Sequence, residues 1–279
     1  MLVINPRDAV YLVDRKFDFY ALPDFECLLN IYSPDGVTVL DGELITHLGD
    51  NRLMYLIFDI TALNGQTVYS LTLDKRLQYI LKVVEKYREA IATQRIPENY
   101  PFELIGKTFH KKGHIDELLK CIKDDKQHGG RVYRDKRRYH KSDGIIFTPN
   151  DGYQIRTVRT LFKFKYADEM SIDLKLCSKE KGEIHFTCMG ERNIELPYNV
   201  QVVADDYQKL ARYASHALKD PKTVVIVELV YDLIVQQWKL KMIRTDKNRA
   251  NFIKVVTDTV RSVGEHISVD DLRRYFAKR

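Results

Sequence analysis

Short apolar runs separated by turn residues dominate the first half of the chain. Val37-Thr-Val-Leu40, Met54-Tyr-Leu-Ile-Phe58 and Gly144-Ile-Ile-Phe147 are rich in β-branched and aromatic residues and short enough to be strands. Met1-Leu-Val-Ile-Asn-Pro6 reads as the middle of a strand, Asn5-Pro6-Arg7-Asp8 as a turn, and Val10-Tyr-Leu-Val13 as the next strand. Between these runs the period changes. Leu77, Leu81, Val84, Tyr87 and Ile91 recur at three- and four-residue spacing, which predicts a helix with Asp74 as N-cap and Pro97 and Pro101 as its stop. Ile115 to Ile122 predicts a second, shorter helix ending before Gly129-Gly130.

Composition shifts near Ala167-Asp-Glu-Met170, where a linker is placed. Beyond it come five strand-like runs: Ile172 to Leu176, Ile184 to Thr187, Val200 to Val203, Val224 to Leu229 and Trp238 to Ile243. A helical pattern from Tyr207 to Leu218 interrupts them, which predicts a small barrel such as an OB-fold. Further helices are predicted from Ala250 to Val263 and, capped by Ser268, through Tyr275. The expected class is α+β: a domain of antiparallel sheets with helices at 1–168, an OB-fold domain at 169–249 and C-terminal helices at 250–279.

Composition narrows the classes. With 44% hydrophobic and 30% charged residues in 279, the chain reads as an ordinary globular protein of one large or two modest domains. The formal charge of +6 is compatible with a nucleic-acid or phosphate-rich partner. Cys27, Cys121, Cys177 and Cys188 lack CxxC spacing, which argues against a zinc site or a disulfide framework and for a reducing compartment. The longest apolar stretch, Thr223 to Trp238, is broken by Glu228 and Asp232, so no membrane span is expected. Neither GxGxxG nor a P-loop occurs.

Four polar clusters sit at the ends of apolar strands, where side chains can enter a cleft. Asp41-Gly-Glu43 offers carboxylates to a metal or a ribose hydroxyl, or is a solvated hairpin turn. Asp143-Gly144 places another acid at a strand mouth, and two such acids can ligate a divalent cation through oxygen. In Leu161-Phe-Lys163-Phe-Lys165, alternation puts both lysines on one strand face, ready for an anion or simply facing water. The strand from Trp238 ends in Arg244-Thr-Asp246-Lys247-Asn248, which is either a phosphate clamp or a salt-bridged loop. The run Arg131 to Lys141 interleaves tyrosines with basic residues. It reads equally as an RNA guide, a nuclear import signal or a solvated loop.

Taken together, these clusters resemble the covalent nucleotidyltransferases, most closely the mRNA capping enzyme guanylyltransferases. Asp41-Gly-Glu43 resembles the family's third motif, and Tyr55-Leu-Ile-Phe58-Asp59-Ile60 the one just after it. Ser142-Asp143-Gly-Ile-Ile146-Phe-Thr-Pro149 resembles the fourth, Leu161 to Lys165 the fifth and Trp238 to Asn248 the sixth. The resemblance implies a nucleotidyltransferase domain of ATP-grasp-like antiparallel sheets followed by an OB-fold. It also implies a reaction in which a lysine takes GMP from GTP, releases pyrophosphate and passes the GMP to the diphosphate 5′ end of RNA. On this resemblance Glu43 engages ribose or metal, and Asp143 binds the catalytic Mg2+ or Mn2+. Phe58 and Ile146 sandwich the guanine, and Lys163 and Lys165 hold the α-phosphate. Arg244, Asp246 and Lys247 orient pyrophosphate, and Asp173 matches a family acid of undefined role. The implied partners are GTP and 5′-diphosphate RNA, with the RNA polymerase II C-terminal domain, an RNA triphosphatase and a cap methyltransferase; the implied location is the nucleus.

Three departures accompany it. Phe164 stands where the family carries Trp, and Ala250-Asn251 where it carries Pro-Asn. The third concerns the nucleophile. The one Lys-x-Asp-Gly string, Lys141-Ser-Asp-Gly144, falls after the third motif and runs into the fourth-motif ending, so it does not match the family's first motif. In the family that motif leads into a strand followed by Val-Tyr-Leu-Ile-Asp-Arg, like Val10-Tyr-Leu-Val-Asp14-Arg15 here. The expectation is therefore that Met1 is internal to that strand and that the lysine lies a few residues upstream; the rival is a protein that lost its nucleophile. Two other functions stay open: an ATP-dependent polynucleotide ligase, and a non-catalytic RNA- or polymerase-binding protein of the same fold.

Overall fold

The computed structural model describes residues 1–25, 27–32, 36–96, 100–155, 158–178, 183–217, 219–220 and 223–277. It divides the chain into two units, Met1–Ser142 with Ile146–Lys163, and Asp143–Ile145 with Phe164–Arg279.

In the first unit the apolar runs form a sheet of β1 (Leu2–Ile4), β2 (Val10–Val13), β3 (Phe19–Ala21), β4 (Thr38–Thr46), β5 (Leu53–Leu63), β6 (Gln66–Thr67) and β7 (Glu103–Gly106). Its order is β3-β2-β1-β4-β5-β6, and β7 runs parallel to β5. Alternation decides what is buried: Leu2 and Ile4 point into the core while Val3 between them is only half-buried. Helix α1 (Cys27–Ile31) and the long α2 (Leu73–Ala92) close over this face. Ile80, Val83, Val84 and Tyr87 of α2 join Tyr32, Tyr55 and Ile57 in one apolar core. Asp74 is not the N-cap of α2 but lies in its first turn. The Asn150 side chain accepts the Asp74 amide at 2.9 Å, satisfying a donor that a helix start leaves unpaired. The predicted stop at Pro97 lies outside the described residues.

Helix α3 (Ile115–Lys120) is shorter than expected, because Ile122 opens β8 (Ile122–Asp124). The basic run folds back on β8 as a hairpin of β9 (Arg131–Arg134) and β10 (Tyr139–Lys141). The pair β11 (Gly144–Phe147) and β12 (Phe162–Lys165) forms a two-stranded sheet, through which the division between the units passes.

The second unit carries β13 (Ser171–Ser178), β14 (Ile184–Met189), β15 (Glu195–Tyr198), β16 (Val225–Asp232) and β17 (Gln237–Ile243), in the order β15-β14-β13-β16-β17. Helix α4 (Ala204–Ala217) lies between β15 and β16 in sequence; Leu218, the expected helix end, lies outside the described residues. The third strand is Glu195–Tyr198, not Val200 to Val203. The latter segment pairs elsewhere. Val202 bridges Trp238 in parallel, with Trp238 donating to Gln201 O at 2.9 Å and Val203 donating to Trp238 O at 3.0 Å. That parallel contact joins the segment after the third strand to the fifth and closes the five strands into an OB barrel. Ile172, Leu174, Leu176, Phe186, Val227 and Trp238 fill it. Helices α5 (Ile253–Glu265) and α6 (Val269–Ala277) follow, and Ser268 caps α6 as expected, exchanging hydrogen bonds with Asp271. Among the described residues no helix is long and apolar enough to cross a membrane.

Candidate active site

Asp41-Gly-Glu43 is not a turn. It lies inside β4, where the ladder to β5 shifts register: Asp41 faces Asp59 and Gly42 faces Ile57, leaving Phe58 as the extra residue of a β-bulge. A bulge turns a side chain out of the regular alternation. Phe58 is accordingly half-buried between fully packed Ile57 and Asp59. Glycine is required opposite it, because a Cβ at Gly42 would come within 2.6 Å of the Tyr55 ring and 2.8 Å of the Leu56 carbonyl oxygen.

Two acids face each other across this bulge, and each has its own partner. Arg76 grips Asp59 with two hydrogen bonds, at 2.7 and 2.9 Å, and directs its remaining donors to the carbonyls of Leu71 and Asp151. Arg76 is 2% exposed. Asp41 accepts a 2.8 Å hydrogen bond from Tyr153, whose own acidity is depressed by burial and by that carboxylate. Asp59 thus belongs to the scaffold beneath the bulge rather than to its open side.

On the open side stand Glu43, which is exposed, and two groups that sequence reasoning missed, Lys107 and His140. Lys107 directly follows β7, and its amide donates to Ile57 O at 2.7 Å. Its ammonium lies 6.0 Å from the centre of the Phe58 ring, at the limit of a cation–π contact. His140 stacks on Tyr133 with ring centres 5.4 Å apart. Burial holds the His140 pKa below its ordinary value; Lys107 and Arg138 act in the same direction, while the Lys141 carbonyl and Glu43 oppose it. Near neutral pH His140 is therefore an uncharged imidazole beside an aromatic ring, a carboxylate and an ammonium. Glu43 on β4 pairs with Leu56, two residues before Phe58 on β5. Ile146, 45% exposed on β11, and exposed Lys163 on β12 also belong to the first unit.

The basic hairpin is less open than its sequence implied. Arg138 is 8% exposed, bonded to Asp135 and to Gly106 O, with its guanidinium 5.1 Å from the centre of the Tyr133 ring. Arg134 lies 4.8 Å from the Tyr139 ring centre, and Tyr139 donates to Asp125. Both tyrosines are committed within the fold.

In the second unit Lys165 reaches Asp143 at 3.6 Å. The strands press so closely there that a Cβ on Gly144 would sit 1.9 Å from the Phe164 carbonyl oxygen, so only glycine fits after the acid. Phe164 packs edge-on against Tyr166, whereas Phe162 is 65% exposed.

The cluster that ends the Trp238 strand is built around two buried acids. Asp173 on β13 and Glu228 on β16 face each other in the ladder, at 6% and 8% exposure. Arg244 Nη1 lies 3.2 Å from Asp173 and 3.3 Å from Glu228, and its outer edge holds Asp246 at 2.7 Å. Lys247 also binds Asp173, and Lys241 binds Glu228 at 3.4 Å. The Arg244 hydrogen bonds lower the Asp246 pKa to about 2, and their counterpart, the hydrogen bond to Asp246, raises the guanidinium's own. Asn251 completes the frame, its side-chain oxygen accepting the Asp173 amide at 2.8 Å. Asp246 and Asp173 thus fix two cations at the end of β17, with Nε, Nη1 and Nη2 of Arg244 all bonded to acids of the same unit. Glu228 escaped sequence reasoning because it reads as an interruption in an apolar run.

Among the described residues no three His, Cys, Asp or Glu side chains gather to enclose a metal ion. Glu43 and Asp143 each suit the other mode of Mg2+ binding, in which one or two carboxylates act with water and substrate phosphates.

The family description "mRNA capping enzyme, catalytic domain" matches residues 1–167, and "mRNA capping enzyme, C-terminal domain" matches residues 158–273. The mRNA-capping enzyme subunit alpha of Schizosaccharomyces pombe is 28% identical over 95% of this chain and 67% of its own length. That of Yarrowia lipolytica is 24% identical over 96% of this chain and 69% of its own. A solved mycobacterial DNA ligase D complexed with ATP and MES covers 88% of this chain and 86% of its own, at 15% identity and a TM-score of 0.41. At that score the ligase likeness adds nothing to the assignment. Matched from Met1 through both domains, the chain belongs to the mRNA capping enzyme family.

Proposed function

We propose that the chain supplies the nucleotide-binding and OB parts of an mRNA 5′ capping guanylyltransferase, which moves GMP from GTP through a lysyl-GMP intermediate to the diphosphate end of RNA, and that none of its 279 residues is the nucleophilic lysine. The observation that carries this reading is the match of both capping domains, in order, along the chain. In the first step a lysine amine forms a bond to the α-phosphorus, the bond to the bridging oxygen breaks, and pyrophosphate leaves as the amine loses a proton. In the second an oxygen of the RNA diphosphate displaces the lysine.

The residues of this chain bind and position. Phe58, lifted by its bulge, and Ile146 sandwich the guanine. Glu43 engages the ribose or a divalent cation. Lys163 and Lys165 neutralise charge that grows on the α-phosphate. Arg244 and Lys247, held by Asp173, Glu228 and Asp246, receive the pyrophosphate. Asp143 holds a divalent cation, which spreads the phosphate charge when bound. Lys141 is not the nucleophile: its Lys-x-Asp-Gly string belongs to the fourth motif.

Calorimetric titration of the 279-residue chain with GTP and ATP in Mg2+ tests the reading. GTP is expected to bind about tenfold more tightly than ATP, with pyrophosphate competing. Preference for ATP would overturn it in favour of a ligase.

A further inference from the structure

A groove of about 230 Å³ opens on the outer face of the OB barrel. Met189 and Ala250, each 8% exposed, form its floor, and Val224, 43% exposed, forms its rim. Lys175 and Glu195 line one side and neutralise each other at 2.6 Å. Arg249 lines the other and makes no hydrogen bond or ion pair among the described residues, so the groove carries one surplus positive charge over an apolar floor.

That combination selects a flat, weakly polar group joined to an anion. A thioether such as that of Met189 favours an aromatic ring against it, and a cationic edge favours phosphate. Placement narrows the ligand further. Lys175 stands two residues beyond Asp173 on β13 and shares its side of the strand, roughly 7 Å along at 3.4 Å per residue. Asp173 holds Arg244 and Lys247, and Arg249 follows Lys247 in the same loop. The groove therefore begins where the phosphate clamp ends.

We propose that this groove seats a nucleotide at the 5′ end of the acceptor RNA, its base on Met189 and Ala250 and its phosphate on Arg249, with the terminal diphosphate at Arg244 and Lys247. This rests on the guanylyltransferase reading and adds a subsite to it. Exposed Arg249 and Val224 can be changed without disturbing the core.

The test is fluorescence anisotropy of a labelled 5′-diphosphate RNA oligomer with the full chain, across a salt series, beside GTP titration of the same proteins. Arg249→Ala is expected to weaken RNA binding about fivefold to tenfold and to reduce the salt slope by roughly 0.7, one phosphate contact. Arg249→Lys keeps the slope, Val224→Glu weakens binding by repulsion, and all three bind GTP as the parent does. RNA affinity and salt slope unchanged in Arg249→Ala would overturn the groove. If GTP fails to bind to any of the proteins while the RNA results hold, the guanylyltransferase reading falls and the RNA site stands.

Discussion

Arg244 and Asp173, 71 residues apart in sequence, meet at 3.2 Å in the second unit, and Lys247 shares the same carboxylate. A buried acid that faces two cations is costly to remove, because the cations lose their counter-charge while remaining partly desolvated. Asp173→Ala is expected to destabilise the second unit by about 3 kcal/mol. Urea unfolding followed through Trp238, which lies in that unit's core, measures it. A change below about 0.5 kcal/mol, the usual effect of a surface substitution, would show that the cluster is not a structural frame.

Arg76 and Asp59 form the corresponding pair under the bulge, and Asp59, only 7% exposed, has little access to water that could replace the lost bonds. Arg76→Ala should cost roughly 3–5 kcal/mol in the first unit. Arg76→Lys, which keeps the charge but not the two-pronged grip, should fall between. Equal stability of the lysine variant and the parent in urea titrations would contradict the role given to the paired geometry.

Phe58 takes its position from the register shift between Asp41 and Gly42. Phe58→Ala is expected to lower GTP affinity about tenfold, the order of a lost base–aromatic contact, while Phe58→Tyr keeps most of it. Calorimetry reads both, and an alanine variant that binds GTP as tightly as the parent would remove Phe58 from the base site.

The hairpin of β9 and β10 should be sensitive to acid. Burial works to raise the Asp135 pKa, but hydrogen bonds from Arg138 and from the Arg137 and Arg138 amides prevail and hold it at about 2. A depressed carboxylate pKa gives stability that is complete above the unfolded value near 4 and lost as pH falls towards 2. Hydrogen exchange of the Val132 and Tyr139 amides should accelerate relative to intrinsic rates as pH falls through that range. In Asp135→Asn this pH dependence should be largely gone, and its persistence would point to another group.

Much of the fold is legible in the residues because the helix period from Leu77 to Ile91 and the barrel runs are local patterns. What escaped depends on partners distant in sequence. Asp41-Gly42 looks like a turn, and only the Tyr55 ring against Gly42 makes it the interior of a strand. Glu103-Leu-Ile-Gly106 has too few apolar residues to announce a strand, and so gives no sign of Lys107 at its end. Val200 to Val203 alternates like a strand but supplies only the contact that closes the barrel. The clusters at Asp143, Lys165 and Arg244 were visible as types at strand ends, whereas the buried acids that hold Arg244 were not.

Lys141 offers a sharper check on the chemistry. The 279-residue chain, incubated with α-labelled GTP and Mg2+, is expected to gain no covalent label, since its one Lys-x-Asp-Gly string resembles the start of the fourth motif and not the first. A labelled peptide containing Lys141 would reverse that assignment.

The most direct measurement joins a segment bearing Lys-x-Asp-Gly to Met1 and offers the protein α-labelled GTP or α-labelled ATP. Guanylyl transfer requires an acid-labile, lysine-linked label from GTP that pyrophosphate removes and that 5′-diphosphate RNA accepts. A label from ATP with none from GTP would contradict the capping function.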